Sequence, residues 1–160
     1  MILRGAGRGP QRRQPDRSTR PTRRESAQAL AQVPFFSTLS KKQLGRLAEE
    51  ADVVSFAAGQ PVVQEGMLGE TMFVVLSGEA RVLKGKRRLG SIRPGDVFGE
   101  IAILDGSPRS ATVIAETPLT AIRLFRRTLM RLLEAEPQIT LKILDGLVLR
   151  FRQLTRAIDV

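Results

Sequence analysis

A mainly β domain, a small antiparallel roll closed by helices at both ends, is what this sequence predicts. Three observations carry that prediction. Between Val53 and Phe125 the apolar residues come in short runs rich in Val, Ile, Leu and Phe, punctuated by Gly. On both sides of that segment the apolar spacing changes to the three-to-four-residue period of a helix. A length of 160 residues suffices for one domain with a real core and is short for two.

The elements follow in order. The first ordered signal is the apolar run from Ala27 to Val33, which ends at Pro34. Ser40 with Gln43 three residues later makes a capping box, in which the Ser hydroxyl takes an orphan amide of the helix it opens. Leu44, Leu47, Ala48 and Ala51 continue that helix on one face. Strands are predicted at 53–56, 61–63, 71–76, 80–83 and 89–92, with glycines between them, then at 111–115 and 119–125. After Arg127, Leu129, Leu132 and Leu133 fit a helix that stops before Pro137. A longer helix is predicted from about residue 139 to 158, with an apolar stripe of Leu144, Leu147, Val148, Phe151, Leu154 and Ile158. That stripe either packs on the roll or, with Leu144, Phe151 and Ile158 recurring at sevens, meets a second copy as a homodimer seam.

The net charge of +10 is mostly local. Residues 1–24 carry eight arginines against one acid, Asp16, whereas residues 25–160 carry 18 basic and 15 acidic side chains. The chain therefore divides into a disordered, Arg-rich tail over 1–24 and one folded domain over 25–160. Gly and Pro are frequent in the tail, which argues against an amphipathic helix there. A solvated extension is the plain expectation for it, and nucleic acid or another acidic surface the functional one. No aromatic residues interleave its arginines to stack bases.

Composition excludes several chemistries. The chain has no Cys, His, Trp or Tyr, so disulfides, thiolates, histidine bases and the usual zinc ligand sets are missing. An enzyme is not expected, nor a metal site or cofactor. No run approaches the roughly 20 apolar residues of a membrane span, and the N-terminus has no secretory h-region, so a cytoplasmic protein without a membrane partner is expected.

One segment breaks the strand pattern, residues 95–113. Residues 101–104 are apolar but have room for only about one helical turn between Gly99 and the Asp105–Pro108 turn. So short a helix is nearly all terminus, and its free amides carry partial positive charge suited to an anion. Gly99 would let a ligand approach the backbone closely, and Arg109 supplies a planar fork that matches two phosphate oxygens. Glu100 is out of place beside an anion unless it addresses something else, and a ribose 2′-hydroxyl suits it. A phosphate and a sugar hydroxyl side by side describe a nucleotide. The bland alternative is a Glu100–Arg109 salt bridge, a common and weak feature of protein surfaces.

Phe98-Gly99-Glu100-Ile101-Ala102 followed by Pro108-Arg109-Ser110-Ala111-Thr112-Val113 closely resembles the phosphate-binding cassette of the cyclic-nucleotide-binding domains. These occur in the catabolite activator protein, the regulatory subunit of protein kinase A and cyclic-nucleotide-gated channels. The similarity runs from about Val33 to Ile158 and implies a β-roll of the double-stranded, jelly-roll-like kind, with an N-terminal helix and two C-terminal helices. It implies that Glu100 binds the ribose 2′-hydroxyl, and that the amides near Ile101 and Ala102 bind the cyclic phosphate together with Arg109. Ser110 adds a hydroxyl contact, and Val82 and Ile92 form an apolar wall. Arg150 and Thr155 of the last helix fall where family members cover the purine. Ser at position 110 tilts the expected ligand toward cAMP over cGMP.

The resemblance thus implies a non-enzymatic sensor whose last helix responds to ligand. Its output passes through an unidentified effector protein in trans, its own dimer, or simple buffering of the nucleotide, because no helix-turn-helix, channel or kinase segment is present in the sequence. The alternatives are a cAMP-responsive, DNA-associated regulator that uses the basic tail or a partner, and a degenerate domain that binds no nucleotide. A phosphodiesterase has less support, lacking a metal-ligand cluster.

Overall fold

The computed structural model describes residues 20–156. Helix α1 (Arg23–Leu30), a 3-10 turn (Pro34–Phe36) and helix α2 (Lys41–Glu50) precede eight strands. These are β1 (Asp52–Phe56), β2 (Pro61–Val63), β3 (Thr71–Ser77), β4 (Ala80–Lys84), β5 (Arg87–Ile92), β6 (Val97–Phe98), β7 (Thr112–Ala115) and β8 (Leu119–Phe125). A short helix α3 (Glu100–Asp105) lies between β6 and β7, and α4 (Arg126–Ala135) and α5 (Pro137–Thr155) follow β8. The strands form two four-stranded antiparallel sheets, ordered β1-β8-β3-β6 and β2-β7-β4-β5.

The alternation of side chains along β3 and β8 divides the core in two. Phe73 and Val75 of β3, with Leu119 and Ala121 of β8, join Ala80, Ile92, Val113 and Ala115 between the sheets. Met72 and Val74, with Ile122 and Leu124, face the other way, against the helices. There Leu30, Phe35, Phe36, Leu47, Leu129 and Ile139 complete a second cluster that takes in Ile103 of α3. Both faces of β3 are covered, which is why its sequence reads as an unbroken apolar run rather than an alternation.

One prediction needs correction. The N-terminal boundary lies earlier than the composition implies, since α1 begins at Arg23, within the segment assigned to the tail. The Thr22 hydroxyl accepts from the Glu25 amide, and the Glu25 carboxylate accepts from the Thr22 amide, a second capping box like that at Ser40 and Gln43. Among the described residues the roll is thus preceded by α1 as well as by the expected helix α2. Residues 1–19 lie outside the described residues.

Of the two roles open to the α5 stripe, packing on the core is taken by Leu147 alone among its described residues. Ile139, Ile143 and Gly146 are its buried residues, while Leu144, Val148, Phe151 and Leu154 are exposed and Leu147 is half-buried. The reason is close backbone contact. A Cβ on Gly146 would stand 2.7 Å from the Phe35 carbonyl oxygen and 2.8 Å from the Phe35 Cα, so α5 docks on the 3-10 turn through a residue without a side chain. The Thr38 hydroxyl donates to the Lys142 carbonyl and fixes the same contact. Ile158 lies outside the described residues.

Candidate functional site

The site is built where β3, α3 and the strand-entry segment before β7 converge. A β-bridge joins Leu68 to Pro108, and the Arg109 amide donates to the Met67 carbonyl at 2.7 Å. The Gly66 amide in turn donates to the Arg109 carbonyl at 2.9 Å. The backbone at Arg109 is thereby stitched to the loop between β2 and β3. Gly69 of that loop leaves no room for a side chain: its Cβ would meet the Ser107 carbonyl at 2.6 Å and crowd Ala102. The Gly69 amide donates to that carbonyl at 3.0 Å.

So anchored, Arg109 points inward. It is only 8% exposed, an unusual place for a guanidinium with no carboxylate against it among the described residues. Its Nη2 donates to the Thr71 carbonyl at 2.6 Å and to the Thr71 hydroxyl at 2.8 Å. Its Nη1 is buried and has no partner among the described residues. Burial pushes the guanidinium pKa down from its ordinary value, because the charged form is desolvated without a counter-ion.

That open nitrogen lies at the start of α3. Gly99 caps the helix with φ of 79°, in the left-handed region, and a Cβ there would stand 2.5 Å from Arg109 Nη1 and 2.7 Å from the Thr71 carbonyl. Glycine is needed because the arginine and the β3 backbone occupy the space a side chain would take. The close approach expected of a ligand at Gly99 is thus made by Arg109 itself. No side chain caps α3, and its first intrahelical bond runs from the Ile103 amide to the Gly99 carbonyl. The amides of Glu100, Ile101 and Ala102 precede that bond and lack helical partners. A buried, unpaired cation beside free helix amides is an arrangement that an anion completes.

The remaining predicted residues are distributed around this centre. Glu100 opens α3 half-buried, and its carboxylate pairs with nothing among the described residues; the alternative of a Glu100–Arg109 bridge is not formed, and Thr71 holds the arginine instead. Phe98 stacks on Phe73 with centroids 5.0 Å apart and belongs to the core between the sheets. Ile101 is exposed, Ala102 half-buried and Ser110 exposed. Val82 and Ile92 both contribute to the inter-sheet core, Val82 opposite Val113 and Gly90, Ile92 opposite Ala80. Arg150 lines a cleft with Pro34, Ser37, Gly146, Leu149 and Gln153, none of them from the cassette, and the Thr155 hydroxyl donates to the Phe151 carbonyl within α5. The structure thus brings Gly99, Glu100, Ile101, Ala102 and Arg109 together, and places Arg150 and Thr155 on α5 among other partners.

Sequence reasoning missed Thr71. It stands 38 positions before Arg109, opens an ordinary apolar strand, and gives no local signal. Its role also alters the expected geometry. Both hydrogens of Nη2 are committed to Thr71, so Nη1 carries the open valence rather than a free two-armed fork.

A family model described as the cyclic nucleotide-binding domain matches residues 53–136. The chain belongs to the cyclic nucleotide-binding domain family. Among curated relatives, a cGMP-dependent protein kinase of Toxoplasma gondii is 39% identical over 109 residues, covering 68% of this chain and 11% of the relative. A cAMP-dependent protein kinase regulatory subunit of Aspergillus fumigatus is 37% identical over 106 residues, covering 65% of this chain and 26% of its own length. The chain therefore spans about a quarter or less of these relatives. Among solved structures, the N-terminal domain of a transcriptional regulator from Streptomyces coelicolor superposes with a TM-score of 0.74 at 25% identity, covering 82% of this chain and 98% of that one. The regulatory subunit of a cAMP-independent protein kinase A from Trypanosoma brucei has a TM-score of 0.64 at 24% identity, covering 82% of this chain and 47% of that one, and speaks for the fold alone. Domains of this β-roll fold thus occur in proteins of differing output, and the ligand must be argued from the site.

Proposed function

We propose that this cyclic nucleotide-binding domain is a non-enzymatic, cytoplasmic cAMP sensor in which Arg109 and the start of α3 hold the cyclic phosphate. One observation carries the choice of residues: Arg109 is a buried cation whose Nη1 has no partner among the described residues, set against the start of α3, which no side chain among them caps. A phosphodiester anion there supplies the missing counter-charge and accepts from Nη1 and from the Ile101 and Ala102 amides. Glu100, unpaired and half-buried one residue after Gly99, accepts from the ribose 2′-hydroxyl. Val82 and Ile92 flank the sugar and base, and Ser110, exposed beside Arg109, favours the adenine nucleotide over cGMP. No metal or other cofactor takes part.

The response follows from differential contact. Ligand that draws Nη1 and the α3 amides together biases the cassette toward one of two arrangements. The exposed apolar face of α5, with Leu144, Val148, Phe151 and Leu154 uncovered, then closes over the base, with Arg150 and Thr155 on the closing segment. The same uncovered face favours a second reading, a homodimer through α5, with Leu144 and Phe151 seven residues apart in its seam. A nucleic-acid role for residues 1–24, or an effector protein, is the alternative output. A mobility-shift assay with and without residues 1–24 separates these two.

The test of ligand is a thermal-shift series with cAMP, cGMP and AMP. Binding to the native state alone raises the melting temperature by mass action. cAMP is expected to give the largest rise and AMP, whose phosphate is not ring-closed, the smallest. No rise with either cyclic nucleotide at millimolar concentration would overturn the proposal.

A further inference from the structure

The loop that closes α3 is held by a residue with no part in binding. Arg126 is the first residue of α4, and its Nη2 donates to the Leu104 carbonyl of α3 at 3.3 Å. Its Nε is buried without a partner among the described residues and lies against Gly106, where a Cβ would stand 3.3 Å away. A cation on the last carbonyls of a helix is favourably placed both as donor and against the negative end of the peptide dipoles. The adjacent Asp105 carboxylate is held below the ordinary range chiefly by hydrogen bonds from Ser107, with the Arg126 charge adding to the effect.

The backbone of Arg126 is tied to the other side of the site. Its amide donates to the Glu70 carbonyl at 2.8 Å. The next residue, Thr71, pairs with Phe125 across β3 and β8 and is the residue that holds Arg109 Nη2. Two routes therefore run from the phosphate-facing groups to one residue. One passes from the start of α3 to its last turn at Leu104; the other passes from Arg109 through Thr71 to the β8–α4 junction. Both meet at Arg126, from which α4 and then α5 lead away.

We propose that Arg126 is the positioning residue that couples the cassette to the C-terminal helices, locking the end of α3 to the start of α4 so that occupancy at Arg109 moves α5. This rests on the nucleotide reading above, and the experiment separates the two. Full-length wild type, Arg126→Gln and Arg126→Lys are titrated with cAMP by calorimetry, and hydrogen exchange across residues 137–155 is followed with and without saturating cAMP. The Gln variant is expected to bind within about threefold of wild type while its cAMP-dependent change in α5 exchange falls to less than a third. The Lys variant, which keeps a cationic donor, is expected to recover most of that change. A Gln variant with an undiminished α5 response overturns the assignment. So does a Lys variant that fails as the Gln variant does, or a Gln variant that loses its fold and so marks Arg126 as a stability residue. Failure of wild type itself to bind cAMP removes the nucleotide reading, and this inference with it.

Discussion

Replacing Gly99 with alanine probes the site where its parts are closest. The substitution forces an L-residue to hold φ near 79° and sets a methyl group 2.5 Å from Arg109 Nη1 and 2.7 Å from the Thr71 carbonyl. The left-handed backbone costs roughly 1–2 kcal/mol for a residue with a Cβ. The overlap adds roughly 1–3 kcal/mol, because one neighbour is β3 backbone and the other a guanidinium pinned by two hydrogen bonds. Gly95→Ala is the control. It has φ of 89° but open space around a Cβ, so it bears the backbone cost alone. Urea denaturation should show Gly99→Ala destabilised by about 2–5 kcal/mol, and by at least about 1 kcal/mol more than Gly95→Ala. Because the methyl displaces Nη1, cAMP affinity should fall in the Gly99 variant and hold in the control. Equal destabilisation of the two, or undiminished affinity at Gly99→Ala, would refute the claim that Arg109 occupies the space above Gly99.

Other perturbations separate stability from binding. Arg109→Met removes two hydrogen bonds to Thr71 but also a buried, unpaired charge. These terms oppose, so stability by chemical denaturation should change by less than about 1.5 kcal/mol. cAMP affinity by calorimetry should nevertheless drop at least about a hundredfold, equivalent to about 2.7 kcal/mol. Gly146→Ala drives a methyl into the Phe35 backbone and should lower stability by about 1–3 kcal/mol while loosening α5, seen as faster hydrogen exchange there. Asp105 has its pKa depressed by hydrogen bonds from Ser107, so its stabilisation is complete well above the ordinary carboxylate value and is lost as pH falls below that value and through the depressed pKa of the folded state. The stability gap between wild type and Asp105→Asn should therefore be constant above about pH 5 and close below about pH 4. If α5 also forms a dimer seam, Phe151→Glu should shift sedimentation velocity from dimer to monomer without altering the melting temperature of the monomer.

Much of this fold was legible because strands and their turns leave local marks. The seven predicted strands stand within a residue or two of their expected limits, whereas β6, two residues long, is too short to show any period. The start of α1 was obscured by composition: Thr22 and Glu25 carry the same capping signature as Ser40 and Gln43, but they lie among arginines and prolines that read as tail. The docked face of α5 is hidden for a different reason. Hydrophobicity ranks Phe151 and Leu154 above Gly146, yet it is the absence of a side chain at Gly146 that lets the Phe35 backbone approach. The site divides in the same way. Gly99, Glu100 and Arg109 belong to one contiguous segment and could be read together. Thr71 and Arg126 enter only through contacts with residues far away in sequence, Arg109 and Leu104, which no local pattern announces.

A crystal structure of the chain grown with cAMP tests the central claim most directly. A phosphate oxygen within about 3 Å of Arg109 Nη1, with a second accepting from the Ile101 or Ala102 amide, is the predicted result. Nucleotide bound elsewhere, or a cassette left empty with Arg109 still engaged only by Thr71, would contradict it.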